Sequence, residues 1–406
     1  MAERSSGWLL VTGLFLIMTV SSGFGFYCLS VFMNALAAEK GFALSAISGA
    51  IGLVFVVGGF AGLVVARLIE RFDPRYVICG GALIGGAALT LVGRVDEVWQ
   101  LYLVYALYGI GNSGVSLIPG TVLITRRFSG TRRSVAMALA TQGLSAGGVV
   151  ITPFAALLIE TSGLAGAMPL IGLVFFFGIA PVAWLTVRPM PVEFGSAAVD
   201  GTDSLPPSRG WEYGAAIRSR FFVLLTSAYV LIMLAQVGAI THQFTLISGR
   251  VDATIAAGSV SLLALSSVAG RFLGGWMLTW MAARKLTLGN LVLQAIGLGC
   301  LSVADGAATL LFASAVFGFS VGNLLMLQPL LLAEAVGVRD YGRIYSLSML
   351  LTMIGVAGGP VVLGILHDLT GGYLLSFLMA AFVSVLAYGA LISSGPVPDG
   401  EALQVG

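Results

Sequence analysis

The sequence predicts an all-α integral membrane protein: twelve transmembrane helices in two pseudo-symmetric six-helix bundles. Three observations carry that prediction. The 406-residue chain is 58% apolar and only 9% charged, with a mean hydropathy of +1.01. A soluble domain carries about 25% charged residues, so a water-soluble enzyme, a disordered chain and a nucleic-acid binder are excluded. Apolar runs of about 18 or more residues, the length that crosses a bilayer, recur twelve times. The cations, finally, crowd into alternate loops.

In order, the runs cover 9–36, 46–68, 76–93, 98–125, 134–159 and 164–187, then 221–247, 255–281, 286–304, 306–333, 343–367 and 373–394. Ala35-Leu36-Ala37 at the end of the first resembles a signal-peptide cleavage site. The apolar stretch is about twice the roughly 7–15 residues of a signal core, so it reads as a retained helix. Residues 188–220 break the pattern with Arg188, Pro189, Pro191, Asp200, Asp203, Pro206, Pro207, Arg209, Arg218 and Arg220. This polar linker sets the domain plan: an N-terminal bundle over 1–187, the linker, a C-terminal bundle over 221–394 and a tail over 395–406.

Of the 20 Lys and Arg residues, 16 fall in the tails, the linker and the even-numbered loops. Three (Lys40, Arg94 and Arg250) fall in the odd-numbered loops. Cytoplasmic loops carry the excess of cations, so both termini and the linker are expected on the cytoplasmic side of the cell (inner) membrane. All 18 acids lie in loops, in tails or at helix ends. A net charge of +2 implies no strongly charged partner, and nothing points to an accessory protein. Cys28, Cys79 and Cys300 lie in or beside apolar runs and read as packing residues. No metal cluster, nucleophile–base pair or paired carboxylate appears within the spans, so neither a cofactor nor an enzyme is expected.

The halves resemble each other at a shift of about 210 residues. Gly111-Asn112 then Pro119 in span four matches Gly322-Asn323 then Pro329 in span ten. Arg133 to Gly147-Gly148 in span five matches Arg343 to Gly358-Gly359 in span eleven. A parallel repeat of this kind places a binding site near the midplane, between the halves.

The loop Ala66–Arg75 resembles a degenerate G-x-x-x-D-R-x-G-R-R motif of the major facilitator superfamily, with Ala66 for the Gly and Glu70 for the Asp. The resemblance implies a cytoplasmic gate in which Glu70, Arg71, Arg75, Arg132 and Arg133 take part. Thr279 stands where the second such loop would hold an acid. Residues 109–143 (GIGNSGVSLIPG, then RRFSGTRRSVAMALATQG), 269–276 (AGRFLGGW) and 358–373 (GGPVVLGILHDLTGGY) are similar to the monocarboxylate transporter family and its bacterial relatives, including oxalate–formate antiporters. That likeness implies transport of a small carboxylate, often with a proton. Where animal members carry an Asp four residues before the span-eight Arg, this chain has Ser267. Where they carry a span-one Lys, it has Tyr27 or Cys28. The second cation of oxalate carriers, a span-eleven Lys, has no counterpart between Arg343 and Asp368.

Arg271 is the one Asp, Glu, Lys or Arg deep within a span. Such a charge costs at least about 2.5–3.5 kcal/mol to insert, and no acid lies at its depth. A guanidinium is a planar fork matched to a carboxylate, so Arg271 is expected to face a central cavity and bind the substrate anion. One buried cation suits one carboxylate, because a second charge would stay unpaired in low dielectric. Lactate or pyruvate is therefore the expected substrate type, moved with a proton by alternating access. Asn112, Asn323, Tyr27, Tyr345 and Ser267 are further candidates around it, with Gln142 and Gln236 undecided. His242, the one histidine inside a span, is the candidate for proton coupling; His367 lies at a helix end beside Asp368. A carrier or exchanger of another organic anion (oxalate-like, formate-like or aromatic) and a non-transporting receptor are the alternatives.

Overall fold

The computed structural model describes residues 2–128, 130–187, 211–336 and 340–397. Among the described residues the regular structure is entirely helical. That follows from the solvent: a backbone in hydrocarbon must satisfy its polar groups internally, and a helix does so within one segment. Ten stretches are long and apolar enough to cross a membrane. Large apolar side chains face outward on them, Leu185 at 73% exposed and Phe60 at 66%, as lipid-facing positions require.

Helix α1 (Ala2–Ser22) runs through one π-helical turn, Gly23–Tyr27, into α2 (Cys28–Lys40). Then come α3 (Leu44–Arg71), α4 (Pro74–Val92), α5 (Val98–Ser113), α6 (Leu117–Arg127) and α7 (Gly130–Thr186). The second half holds a short α8 (Tyr213–Arg218), α9 (Arg220–Ser248), α10 (Ala253–Met277), α11 (Ala283–Val303), α12 (Ala307–Val336), α13 (Tyr341–Thr370) and α14 (Leu374–Ser393). Starts are capped by local chemistry. Asp73 accepts from the Arg75 N–H at 2.9 Å with Pro74 in the first turn, and Asp252 accepts from the Ile255 N–H at 2.8 Å. Such caps satisfy donors that the helix leaves orphaned. Gly41 and Gly371 end α2 and α13 in the left-handed region, at φ of 68° and 70°.

Two features depart from uninterrupted spans, and one long helix divides where two of the expected runs meet. The first run is bent by the π turn. The fourth is broken at Gly114–Ser116, where Gly114 crosses α4 so closely that a Cβ would lie 3.1 Å from the Gly81 Cα. Helix α7 is really two: Gly163 (φ 66°, ψ 171°) interrupts it, and the Glu39 carboxylate accepts from the Leu164 N–H at 2.9 and 3.0 Å to cap the second piece. The linker expected over 188–220 lies outside the described residues up to 210. From Trp211 on, the chain packs against the second half: the Trp211 N–H donates to the Val336 carbonyl and the Tyr213 N–H to the Asp340 carboxylate, each at 2.9 Å.

Helices α1 to α7 pack together, as do α9 to α14. The two groups meet along α2 with α9, α3 with α13, and α7 with α10. The polar bonds between them form two groups, one where α7 meets α10 and one toward the end opposite the linker, here called the far end. There Asp368 accepts from the Ser45 N–H at 2.9 Å, Ser48 meets His242 at 3.1 Å and Ser248 donates to Asn34 at 3.4 Å. Gly52 lets α3 press on α13; a Cβ would lie 2.7 Å from the Ala357 carbonyl oxygen.

Candidate substrate site

Helix α10 carries Ser267 and Arg271 one turn apart, so both project to one side. Helix α7 crosses it from the other half and presents Ser145. The crossing is tight because Gly148 has no side chain: a Cβ would stand 2.5 Å from the Ala264 Cβ and 2.9 Å from the Tyr27 ring. The π turn of span one delivers Tyr27 to the same place. A π turn widens one helical turn and rotates the residues beyond it, and such turns recur at functional sites.

The hydrogen bonds run in one direction. Arg271 Nη1 donates to Ser145 Oγ at 2.8 Å, Ser145 lies 3.0 Å from Ser267 Oγ, and Ser267 donates to the Ala264 carbonyl at 2.7 Å. With the middle hydroxyl donating onward, every member has an acceptor. Tyr27 interacts with both serines and feels the Arg271 charge. Ser145 and Ser267 are fully buried, whereas Arg271 keeps partial exposure. Among the described residues, no ion pair involves Arg271. The guanidinium thus spends one donor on a neutral hydroxyl and retains its charge uncompensated by a carboxylate.

Ser145 is the residue that sequence reading passed over. It lies one turn before Gly147-Gly148, the pair singled out in the repeat, but a serine is too common in spans to stand out. Arg271, Tyr27 and Ser267 are brought together; the other candidates are placed elsewhere. Asn112 points at the π turn, where a Gly25 Cβ would lie 2.8 Å from its Nδ2 and 2.9 Å from the Tyr108 hydroxyl. Asn323 is buried inside the second half, donating to Asn290 Oδ1 at 3.1 Å and to the Phe319 carbonyl at 3.2 Å. Tyr345 stacks on Tyr341 at 5.7 Å near the linker end. Gln236 donates to Gln294 at 2.7 Å, and the Gln142 Oε1 is buried with no partner.

Of the gate candidates, Arg71 ends α3 and is exposed. Arg75 donates through Nε to the Val187 carbonyl beyond α7 and lies over the Trp184 ring at 5.5 Å, so it ties α4 to α7 within one half. The side chains of Glu70, Arg132 and Arg133 lie outside the described residues. His242 sits at the far end, about 18 Å of helix rise from the depth of Arg271.

Two packed halves with a cation at their junction are the frame on which the comparisons with known proteins bear. Residues 15–322 match the Major Facilitator Superfamily, and the chain belongs to it. It is therefore a multi-pass transporter and not an enzyme. It is 27% identical over 403 residues to monocarboxylate transporter 13 of Rattus norvegicus, covering 95% of this chain and 88% of that protein. It is 26% identical over 322 residues to the agnestins efflux protein AgnL12 of Paecilomyces divaricatus, covering 79% and 71%. A solved bacterial homolog of the human lysosomal transporter Spinster, in an inward-facing and occupied conformation, superposes with a TM-score of 0.80 at 16% identity over 98% of each chain. That likeness carries the fold.

Proposed function

We propose that the protein is a secondary transporter of small monocarboxylates of the lactate and pyruvate type, moving each anion with a proton by alternating access. The observation that carries the reading is Arg271, a cation at the junction of the halves whose bonded partner is the neutral Ser145. Substrate carboxylate supplies the anion that the protein omits, and the planar fork binds it in two parallel bonds. Tyr27 and Ser267 line the same junction. A single cation balances a single carboxylate. Moving the anion with one proton is electroneutral and avoids about 2.3 kcal/mol of work per charge per 100 mV. The named relative, monocarboxylate transporter 13, supports the same substrate class.

The reading includes twelve spans. The α1–α2 unit, α3, α4, the α5–α6 unit and the two pieces of α7 make six; α9 to α14 make six more. The cation bias puts both termini and the linker end in the cytoplasm of a cell with this inner membrane, so the far end faces outside. The bonds that join the halves at that end close it, as an inward-facing state requires.

A second reading is a carrier of a bulkier organic anion. It is favoured by the likeness to an agnestins efflux protein. Purified protein in liposomes decides between them. Labelled lactate or pyruvate should enter faster under an inward proton gradient. Arg271→Ala should abolish uptake and Arg271→Lys should restore little, because the fork is lost. Normal uptake by Arg271→Ala would end the anion-site reading; uptake confined to larger aromatic acids would favour the second one.

A further inference from the structure

Helix α3 of the first half begins with Ser45 and Ser48, three residues apart on one face. Each is held by a group from the second half that gains or loses a proton. Asp368, at the end of α13, accepts from the Ser45 N–H at 2.9 Å. Its charge thus sits at the positive N-terminus of α3, where an anion is stabilised. His242, on α9, lies 3.1 Å from Ser48 Oγ through Nε2. The same Nε2 is 2.9 Å from the Pro360 carbonyl, which can only accept. Nε2 therefore carries the hydrogen. Nδ1, 3.0 Å from the Tyr373 hydroxyl, is then the acceptor in that bond. The ring is neutral, fixed in one tautomer and fully buried.

We infer that His242 Nδ1 is a proton-binding site whose occupancy releases the far-end clasp, so that external acid turns the transporter outward. The inference rests on the alternating-access reading above but not on the identity of the substrate. A second proton would make the ring a cation. In the closed clasp that cation is sealed from water without a free counter-anion. When the halves part at the far end, water solvates it. The proton therefore binds the open state better, and linkage makes acid favour opening. Direct delivery to an anion at Arg271 is ruled out by the depth between the two.

The surrounding charges leave His242 as the responsive group. From α13, His367 lies 3.3 Å from the Asp368 carboxylate and packs on the Tyr373 ring at 4.4 Å. Tyr373 thus stands between the two histidines. From α2, Glu39 caps Leu164 and Lys40 pairs with Asp96 at 2.7 Å, so both are engaged away from the ring. On α9 itself, Arg250 donates to the carbonyls of Leu301, Ser302 and Ala304. From α10, Asp252 caps its own helix. Helix α3 contributes only the two serines near this end.

The test measures the distance between spin labels at exposed far-end positions of the two halves, Arg94→Cys and Asp305→Cys, after replacing the native cysteines. Liposomes without substrate are compared between about pH 7.5 and about pH 5.5, the range in which a histidine titrates. The open-to-closed ratio should rise on acidification by up to about tenfold per pH unit, the limit for one linked proton. His242→Gln should stay closed and lose the response. Ser48→Ala should open at both pH values. Tyr373→Phe, which leaves Nδ1 unpartnered, should move the response to higher pH. A response that survives His242→Gln, or one abolished only by Asp368→Asn or His367→Gln, overturns the assignment, as does the absence of any response. Uptake measured on the same preparations separates this outcome from failure of the transport reading.

Discussion

The two halves pack through glycines alike, but the second adds a chemistry that the first lacks. In the second half, buried amides lace the helices: Gln236 to Gln294, Gln294 to Ser384, Gln243 to Ser259 and Ser314, and Asn323 to Asn290. The first half, among the described residues, buries Ser and Thr but no Asn, Gln or His side chain to that degree. It relies on backbone approach at glycines. A Cβ on Gly111 would lie 2.3 Å from the Gly85 backbone nitrogen, and one on Gly86 would lie 2.7 Å from the Gly172 carbonyl oxygen. Without a hydrophobic drive between helices in lipid, close packing and interhelical hydrogen bonds are the two remaining glues. The second half uses both, since a Cβ on Gly318 would lie 2.3 Å from the Leu263 carbonyl oxygen and one on Gly355 2.1 Å from the Val230 carbonyl oxygen; its amide network is an addition, and among the described residues it also supplies the charge at the Ser145 junction.

The largest expected effect tests that division of labour at the site. Arg271→Ala removes the second half's cation, whereas Ser145→Ala removes a neutral hydroxyl from the first half. The first change should lower lactate uptake at least about thirtyfold, since truncating one partner of a desolvated charge pair costs about 2 kcal/mol or more. The second should cost about 1 kcal/mol, a fewfold loss. Proteoliposome uptake at matched protein density checks both. Equal losses would mean that the junction, and not the charge, is what substrate needs.

Next comes stability of the glycine-packed half. Gly111→Ala places a methyl against the backbone of α4, which has no flexible side chain to yield. Overpacking of this kind costs about 1–3 kcal/mol. The matched change in the polar half, Gln236→Leu, breaks one interhelical bond worth about 0.6 and at most about 1.7 kcal/mol. Thermal unfolding in detergent should therefore show the larger drop for Gly111→Ala. The reverse order would show that the amide network, not backbone approach, sets stability.

Much of this was legible in the sequence. Long apolar runs announce themselves, and a lone arginine among them is conspicuous because insertion is costly. The break at Gly163 was anticipated by ending one run at 159 and starting the next at 164. The π turn at Gly23–Tyr27 and the break after Ser113 were not, because each depends on which helix crosses there and how closely. The repeat pairs Asn112 with Asn323, yet their surroundings differ. Asn323 meets Asn290 on α11, while Asn112 faces Gly25 and the Tyr108 hydroxyl. Sequence symmetry reports the backbone path; the partner across the gap decides what the side chain does. Ser145 escaped notice for the same reason, since its meaning comes from Arg271 in the opposite half.

The smallest effect sharpens the contrast most. Tyr105 in α5 is fully buried, and its hydroxyl has no partner among the described residues. A desolvated hydroxyl without a bond is a cost that the ring's packing must outweigh. Tyr105→Phe keeps the ring and deletes the cost, so unfolding should stay within about 0.5 kcal/mol of the parent or shift toward higher stability. In the polar half, Gln243→Leu deletes donors that are bonded to Ser259 and Ser314 and should lower stability instead. Opposite signs for these two buried polar deletions are what a first half packed by shape and a second half packed by shape together with hydrogen bonds require. A clear loss for Tyr105→Phe would show that its hydroxyl is bonded in the membrane and that the first half, too, is held by polar contacts.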